Sequence, residues 1–165
     1  MATIEKSIDV DVPVRTAYNQ WTQFEEFPRF MEGVTEVKQL DDARLHWVAE
    51  VAGQTKEWDA RITEQLPDKI VAWRSESGDL NAGTVRFDSS EPDKTCITLV
   101  MEYEPEGVVE SAGDLLGFVS RRVDADLSRF KEFIEDRGVE TGAWRGTIRP
   151  GANATDGVAL GNTRT

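Results

Sequence analysis

Between Val34 and Glu104 the chain reads as six short strand-like segments, roughly 34–40, 44–52, 55–66, 69–77, 81–89 and 95–104. The links between them are turn chemistry: Asp41-Asp42, Ala52-Gly53-Gln54, Pro67-Asp68, Gly78-Asp79 and Glu91-Pro92-Asp93. Links this short allow antiparallel hairpins and forbid the long crossovers that parallel strands need. A further strand precedes them, because Ile4, Lys6, Ile8, Val10 and Val12 alternate with Glu5, Ser7, Asp9 and Asp11. Pro13 ends that strand and suits the first turn of a helix running to about Trp21. Residues 108–136 then form one long helix. Leu116, Val119, Val123, Leu127, Phe130 and Ile134 make its apolar stripe, and Gly138 terminates it. A large antiparallel sheet with one apolar face must be covered, and this helix is the only element big enough. A single helix about 10 Å across cannot fill the widening end of a curved sheet. The order of elements therefore predicts an α+β domain with an internal cavity.

The segment WTQFEEFPRFMEGV (21–34) is apolar where a loop should be polar. Trp21, Phe24, Phe27, Phe30 and Met31 fall at helical spacings, but Pro28 forbids one continuous helix through them. Two short helical turns joined at Glu26–Pro28 satisfy both facts. Their position after the first strand makes them the expected lid of the cavity, with Phe27, Phe30 and Met31 facing its contents.

Strand parity names the rest of the lining. Leu45, Trp47, Ala49 and Val51 share one face, as do Trp58, Ala60, Ile62 and Leu66. Ile97, Leu99, Met101 and Tyr103 share another, continued by Val85 and Phe87. The opposite faces carry Glu50, Glu57, Asp59, Arg61 and Glu102, so the apolar faces point inward. Between 69 and 77 the Val71–Trp73–Ser75–Ser77 face is taken as inward, since the other would bury Arg74 with Glu76. The expected ligand-contacting set is Phe27, Phe30, Met31, Trp47, Trp58, Trp73, Asn81, Met101 and Tyr103. The same aromatics at core parity also serve simply as core filling. Gly113 and Gly117 each cost the long helix about 1 kcal/mol relative to Ala. Room for a ligand and a frayed or kinked first turn both account for them.

The formal net charge of −12 over 165 residues disfavours nucleic acid and anionic membrane surfaces, which select clustered Lys and Arg. It fits a protein that is monomeric or a weak homodimer. The single cysteine, Cys96, permits no intrachain disulfide and points to a reducing compartment. The N-terminus lacks a signal-peptide core and no stretch is long and apolar enough to span a bilayer, so a cytoplasmic location without membrane insertion is expected.

Catalytic motifs are sparse. The only histidine, His46, lies at outward parity beside Val48 and Glu50. One His and one Cys cannot assemble an imidazole–thiolate zinc site, so no metal is expected. There is no nucleophile elbow, no phosphate-cradling glycine loop and no dinucleotide fingerprint, so no cofactor is expected either. Glu57, Asp59 and Arg61 lie two apart on an outward face, which reads as a solvated charged stripe. From Gly138 to Thr165 the chain is rich in Gly, Thr, Ala and Asn without apolar periodicity. It is expected to be a disordered tail, with Trp144 and Ile148 docking transiently at most, and residues 1–137 to be the domain.

FEEFPRFMEGVTEV (24–37), WDARITEQLPDKIVAWRSESG (58–78), NAGTVRFD (81–88) and DLSRFKEFIEDR (126–137) resemble the helix-grip superfamily of polyketide cyclase/dehydrase, lipid-transfer and birch-pollen-allergen-like proteins, in its bacterial cyclase/dehydrase branch. The resemblance covers residues 1–137. It implies a curved antiparallel sheet of about seven strands wrapped around a long C-terminal helix, with two short helices after the first strand. It also implies binding or carriage of a hydrophobic small molecule: a lipid, an isoprenoid or a polyketide-like ring. The alternative it implies is an aromatase/cyclase or dehydratase acting on a poly-β-ketone. Such enzymes position their substrate with an inward Arg, a Tyr and hydroxyl or amide side chains. Tyr103 and Asn81 would serve here, with Ser75 and Ser77 as further inward polar groups, whereas Arg61, Arg74 and Arg86 sit at outward parity. A protein-interaction module using the acidic surface is a third reading.

Overall fold

The structure, a computed structural model, describes residues 2–51, 53–77, 80–104 and 112–149. Strand β1 (Ala2–Val10) leads through Pro13, the N-cap, into helix α1 (Val14–Trp21) and a 3-10 helix (Phe24–Arg29). Six strands follow: β2 (Val34–Asp41), β3 (Arg44–Val51), β4 (Gln54–Leu66), β5 (Ile70–Ser75), β6 (Leu80–Glu91) and β7 (Lys94–Glu104). Helix α2 (Ala112–Arg137) closes the order. Its expected start at residue 108 lies outside the described residues. All strand pairs are antiparallel, in the order β1-β7-β6-β5-β4-β3-β2. Every hairpin is thus a nearest-neighbour pair, and only β1 crosses over, to sit beside β7. This is the expected α+β helix-grip architecture.

The core lies between the inner face of the sheet and α2. Val119, Val123, Leu127, Phe130 and Ile134 of the predicted stripe are buried against Ile4, Val85, Phe87, Ile97 and Leu99. Burying an aliphatic or aromatic side chain of this size contributes roughly 1.5–3 kcal/mol each. Phe130 sits at the centre, edge-on to both Trp21 (5.0 Å) and Phe30 (5.2 Å).

Three features depart from expectation. Pro28 lies inside a single 3-10 helix, and the break falls at Thr22–Gln23 instead of at Glu26–Pro28. Pro28 is the fifth of the six residues, so its missing N–H removes one backbone hydrogen bond near the end of a helix that stops at Arg29. Leu66 does not face inward with Ile62 as parity predicts: a bulge between Ile62 and Glu64 shifts the register, so Gln65 turns inward and is fully buried. One extra residue reverses every side chain beyond it.

The third departure is the segment after Gly138. Its described part, residues 138–149, is not disordered but is a strap packed across α1 and the end of β4. Trp144 and Ile148 are each 1% exposed. Beyond Arg61, β4 runs past its pairing with β3, and Ile148 takes the vacant edge: Gln65 and Ile148 exchange backbone hydrogen bonds, both 2.8 Å. The strap also explains why five consecutive α1 residues, Ala17 to Trp21, are buried. Asn19 donates to Glu140 (2.6 Å) and accepts from Arg145 (2.6 Å). Gln20 and Thr141 exchange bonds of 3.1 and 2.9 Å, and the Trp144 amide donates to the Thr22 hydroxyl (3.1 Å). Polar groups that composition assigns to solvent are satisfied by the strap. Residues 150–165 lie outside the described residues.

Candidate ligand cavity

The apolar inner face opens into a cavity of about 350 Å3, at the small end of the roughly 300–1,000 Å3 of ligand pockets. Its lining is mostly aromatic and aliphatic. The 3-10 helix and the loop after it supply Phe24, Phe27 and Met31, β3 and β4 supply Leu45, Trp47 and Trp58, and β5 supplies Trp73. Asn81, Met101 and Tyr103 come from β6 and β7, and Phe118, Val119, Arg122, Val123 and Asp126 from α2. Eight of the nine residues expected from sequence line it. Phe30 is the exception: it is 2% exposed and packs onto Phe130 and Phe133 (5.2 and 5.3 Å), so it pins this segment to α2 without reaching the cavity.

Each ring is held by local geometry. Trp47 and Trp58 face each other across β3 and β4 and stack, 6.0 Å between centroids and 2° apart in plane. The Trp47 indole N–H is buried without an acceptor among the described residues. Trp73 is paired with Gly83, and a β-carbon at Gly83 would lie 2.5 Å from the Trp73 ring. Glycine there lets the indole lie flat over the β6 backbone. The Trp73 N–H then donates to the Asn81 side-chain carbonyl (3.2 Å), while the Asn81 backbone N–H donates to the Ser75 hydroxyl (3.0 Å). Asn81 stands directly across from Tyr103 in the β6–β7 ladder.

The charged part of the wall was not foreseen. Arg61 pairs with Glu76 (3.9 Å), and Arg74 and Arg86 are exposed, so none of the three enters the cavity. The arginine that does is Arg122, on α2. Its guanidinium lies 5.0 Å over the Phe118 ring and beside Gly33, where a β-carbon would fall 1.9 Å from Nη1. One turn on, Asp126 is bound by Arg129 (2.5 Å), which also reaches the Phe30 carbonyl (3.0 Å) and Glu32 (3.4 Å). Burial pushes the Asp126 carboxyl above its usual range, opposed by the Arg129 hydrogen bond and charge. The signal for both residues was present: Arg122 and Asp126 each adjoin a stripe residue, Val123 and Leu127. A charged residue beside a stripe ordinarily faces solvent, so spacing alone did not distinguish them.

His46 is on the outer face as expected, but it is not merely solvated. Asp59 bonds its Nδ1 (2.7 Å) and Glu57 its Nε2 (3.1 Å), and the Asp59 bond is the main cause of a raised imidazole pKa. Among the described residues no group of His, Cys, Asp and Glu is placed to hold a metal, and no helix is long and apolar enough to cross a membrane.

A seven-stranded antiparallel sheet gripping one long helix, with an aromatic cavity between them, defines the helix-grip class of ligand-binding folds. Residues 10–132 match the family described as polyketide cyclase / dehydrase and lipid transport, and the chain belongs to that family. An uncharacterised 17.2 kDa protein of Streptomyces lincolnensis is 53% identical over 149 residues, covering 90% of this chain and 99% of its own. A Deinococcus radiodurans protein of known structure aligns with a TM-score of 0.67 at 25% identity, over 83% of this chain and 99% of its own. The Zhui aromatase/cyclase of Streptomyces sp. R1128 aligns with a TM-score of 0.72 at 18% identity, over 86% and 98%. At that identity the likeness is one of fold.

Proposed function

We propose that this protein binds and carries a hydrophobic, ring-containing small molecule in the cavity between its sheet and α2. The single observation that carries this is the cavity itself: about 350 Å3 walled by Trp47, Trp58, Trp73, Phe27 and Met101. A structural core would fill such a volume, since interiors pack at crystal-like density and a void this size forfeits contact energy on every side. The family's range, from polyketide cyclisation to lipid transport, supports a hydrophobic occupant in general. The protein acts as a diffusible cytoplasmic monomer or weak dimer. Native mass spectrometry before and after solvent extraction tests the proposal, with tryptophan quenching by multi-ring ligands as the second readout. A co-purifying mass lost on extraction is expected. Protein with no bound mass and no quenching would refute it.

A second reading, aromatase/cyclase chemistry on a poly-β-ketone, is favoured by Asn81 standing opposite Tyr103 on the cavity wall. An amide and a phenol so placed can orient a carbonyl chain and move a proton at neutral pH. Added to a minimal polyketide synthase, the protein should then alter the cyclised products, and Tyr103→Phe should abolish the change.

A further inference from the structure

The cavity is apolar along its strands, and its charge is concentrated on α2. Of the charged residues in the wall, Asp126 is committed to Arg129 and the Glu57 carboxylate turns to His46 on the outer face. Glu50 and Lys56 lie at the β3–β4 end, with Glu50 exposed. Arg122 differs: no hydrogen bond or ion pair holds its guanidinium among the described residues; it stands over the Phe118 ring, and its charge acts on the Asp126 carboxylate from beyond 4 Å. A guanidinium in an apolar cavity keeps its charge at all accessible pH values. Asp126, already hydrogen-bonded to Arg129, offsets this charge only from a distance, and an oxyanion would satisfy the Arg122 fork with two parallel bonds.

Gly33 holds this group in place. The Gly33 carbonyl accepts from the Glu50 amide (2.7 Å), tying the residue to β3. Its missing β-carbon leaves the notch that Arg122 Nη1 occupies. The guanidinium is therefore buttressed on one side by the notch and on the other by Phe118, on the wall of the cavity.

We infer that Arg122 is the anchor for an anionic head group, and that the occupant of the cavity is an amphipathic acid: a ring-containing apolar body carrying a carboxylate. This rests on the ligand-binding reading above and narrows it to one chemical class. Trp47, Trp58 and Trp73 contact the body, and Arg122 selects the head. The net charge of the whole chain does not oppose this, since exposed charges more than about 10 Å away are largely screened at 0.1 M salt.

The test is isothermal titration calorimetry of the full chain with 2-naphthoic acid and with 2-naphthalenemethanol, which share a body and differ in head charge. The acid is expected to bind at least tenfold more tightly. Arg122→Gln should erase that preference by weakening the acid far more than the alcohol, and Gly33→Ala should weaken the acid selectively by displacing the guanidinium. Arg122→Lys, which keeps the charge but loses the fork, should retain part of the preference and serves if the glutamine variant folds poorly. Equal binding of the two probes by the wild type, or a preference that survives Arg122→Gln, overturns the inference and leaves the cavity-binding proposal standing. Binding of neither probe overturns both.

Discussion

Single residues set the shape of the cavity more than the identity of its largest rings. Trp73 is an inward tryptophan by parity alone, but it lies flat only because its cross-strand partner is Gly83. Gly83→Ala would drive a β-carbon to 2.5 Å from the ring and 3.0 Å from the Val100 carbonyl. Overpacking of this kind typically costs about 1–3 kcal/mol. Urea denaturation should show a loss of that size, together with a shifted tryptophan emission as the indole is pushed into the cavity. His46 offers a second test, because it is the only histidine in the chain and gives a single imidazole resonance. Its hydrogen bonds to Asp59 and Glu57 raise its folded pKa above the ordinary 6.5. The pair therefore contributes stability that is complete below pH 6.5 and is lost as pH rises through the folded value. An NMR titration should show the raised pKa in the wild type and a value near 6.5 in an Asp59→Asn, Glu57→Gln variant. The site is largely exposed, so the stability change should stay below about 1 kcal/mol and shrink with salt. Parity identified both positions; it could not supply the partner across the ladder, which depends on register.

At the scale of elements, the strap is the part that local pattern misjudged. Residues 138–149 have no periodicity because they form neither a strand of their own nor a helix. They borrow order from what they cover, a backbone edge on β4 and the polar side of α1. Trp144 is also folded over Gly146, where a β-carbon would lie 2.5 Å from its ring. Trp144→Ala should therefore cost about 3–5 kcal/mol in chemical denaturation, as for other fully buried aromatics. A disordered segment would lose nothing measurable. The 3-10 helix shows the opposite relation. Its aromatic spacing was legible, and so was its place on the cavity wall. Which ring turned to the cavity and which to α2 was not, because Phe27 and Phe30 occupy adjacent turns of a helix whose roll is decided by Phe130 and Phe133.

At the scale of the molecule, the acidic composition acts on stability and the topology on the site. With a formal charge of −12, self-repulsion opposes the compact state. The described ion pairs are mostly exposed and contribute little. Raising the salt from 10 to 300 mM should therefore increase the melting temperature. Screening worth about 1 kcal/mol would appear as roughly 2–4 °C in differential scanning calorimetry for a chain of this size.

The sequence by itself determined the antiparallel hairpins from β2 to β7, the gripping helix and the aromatic character of the interior, but not the place of β1 beside β7. Short turns, period-two alternation and a stripe at spacings of three and four are local signals, and each constrains the backbone before any distant contact forms. Only the tertiary structure decided that Arg122 lines the cavity, that Gln65 and not Leu66 points inward, and that residues 138–149 are part of the fold. Those outcomes depend on one bulge, on the roll of α2 against the sheet, and on an edge of β4 left open beyond β3 and filled by the distant Ile148. No local pattern carries such information, because the groups that decide it lie far apart along the chain.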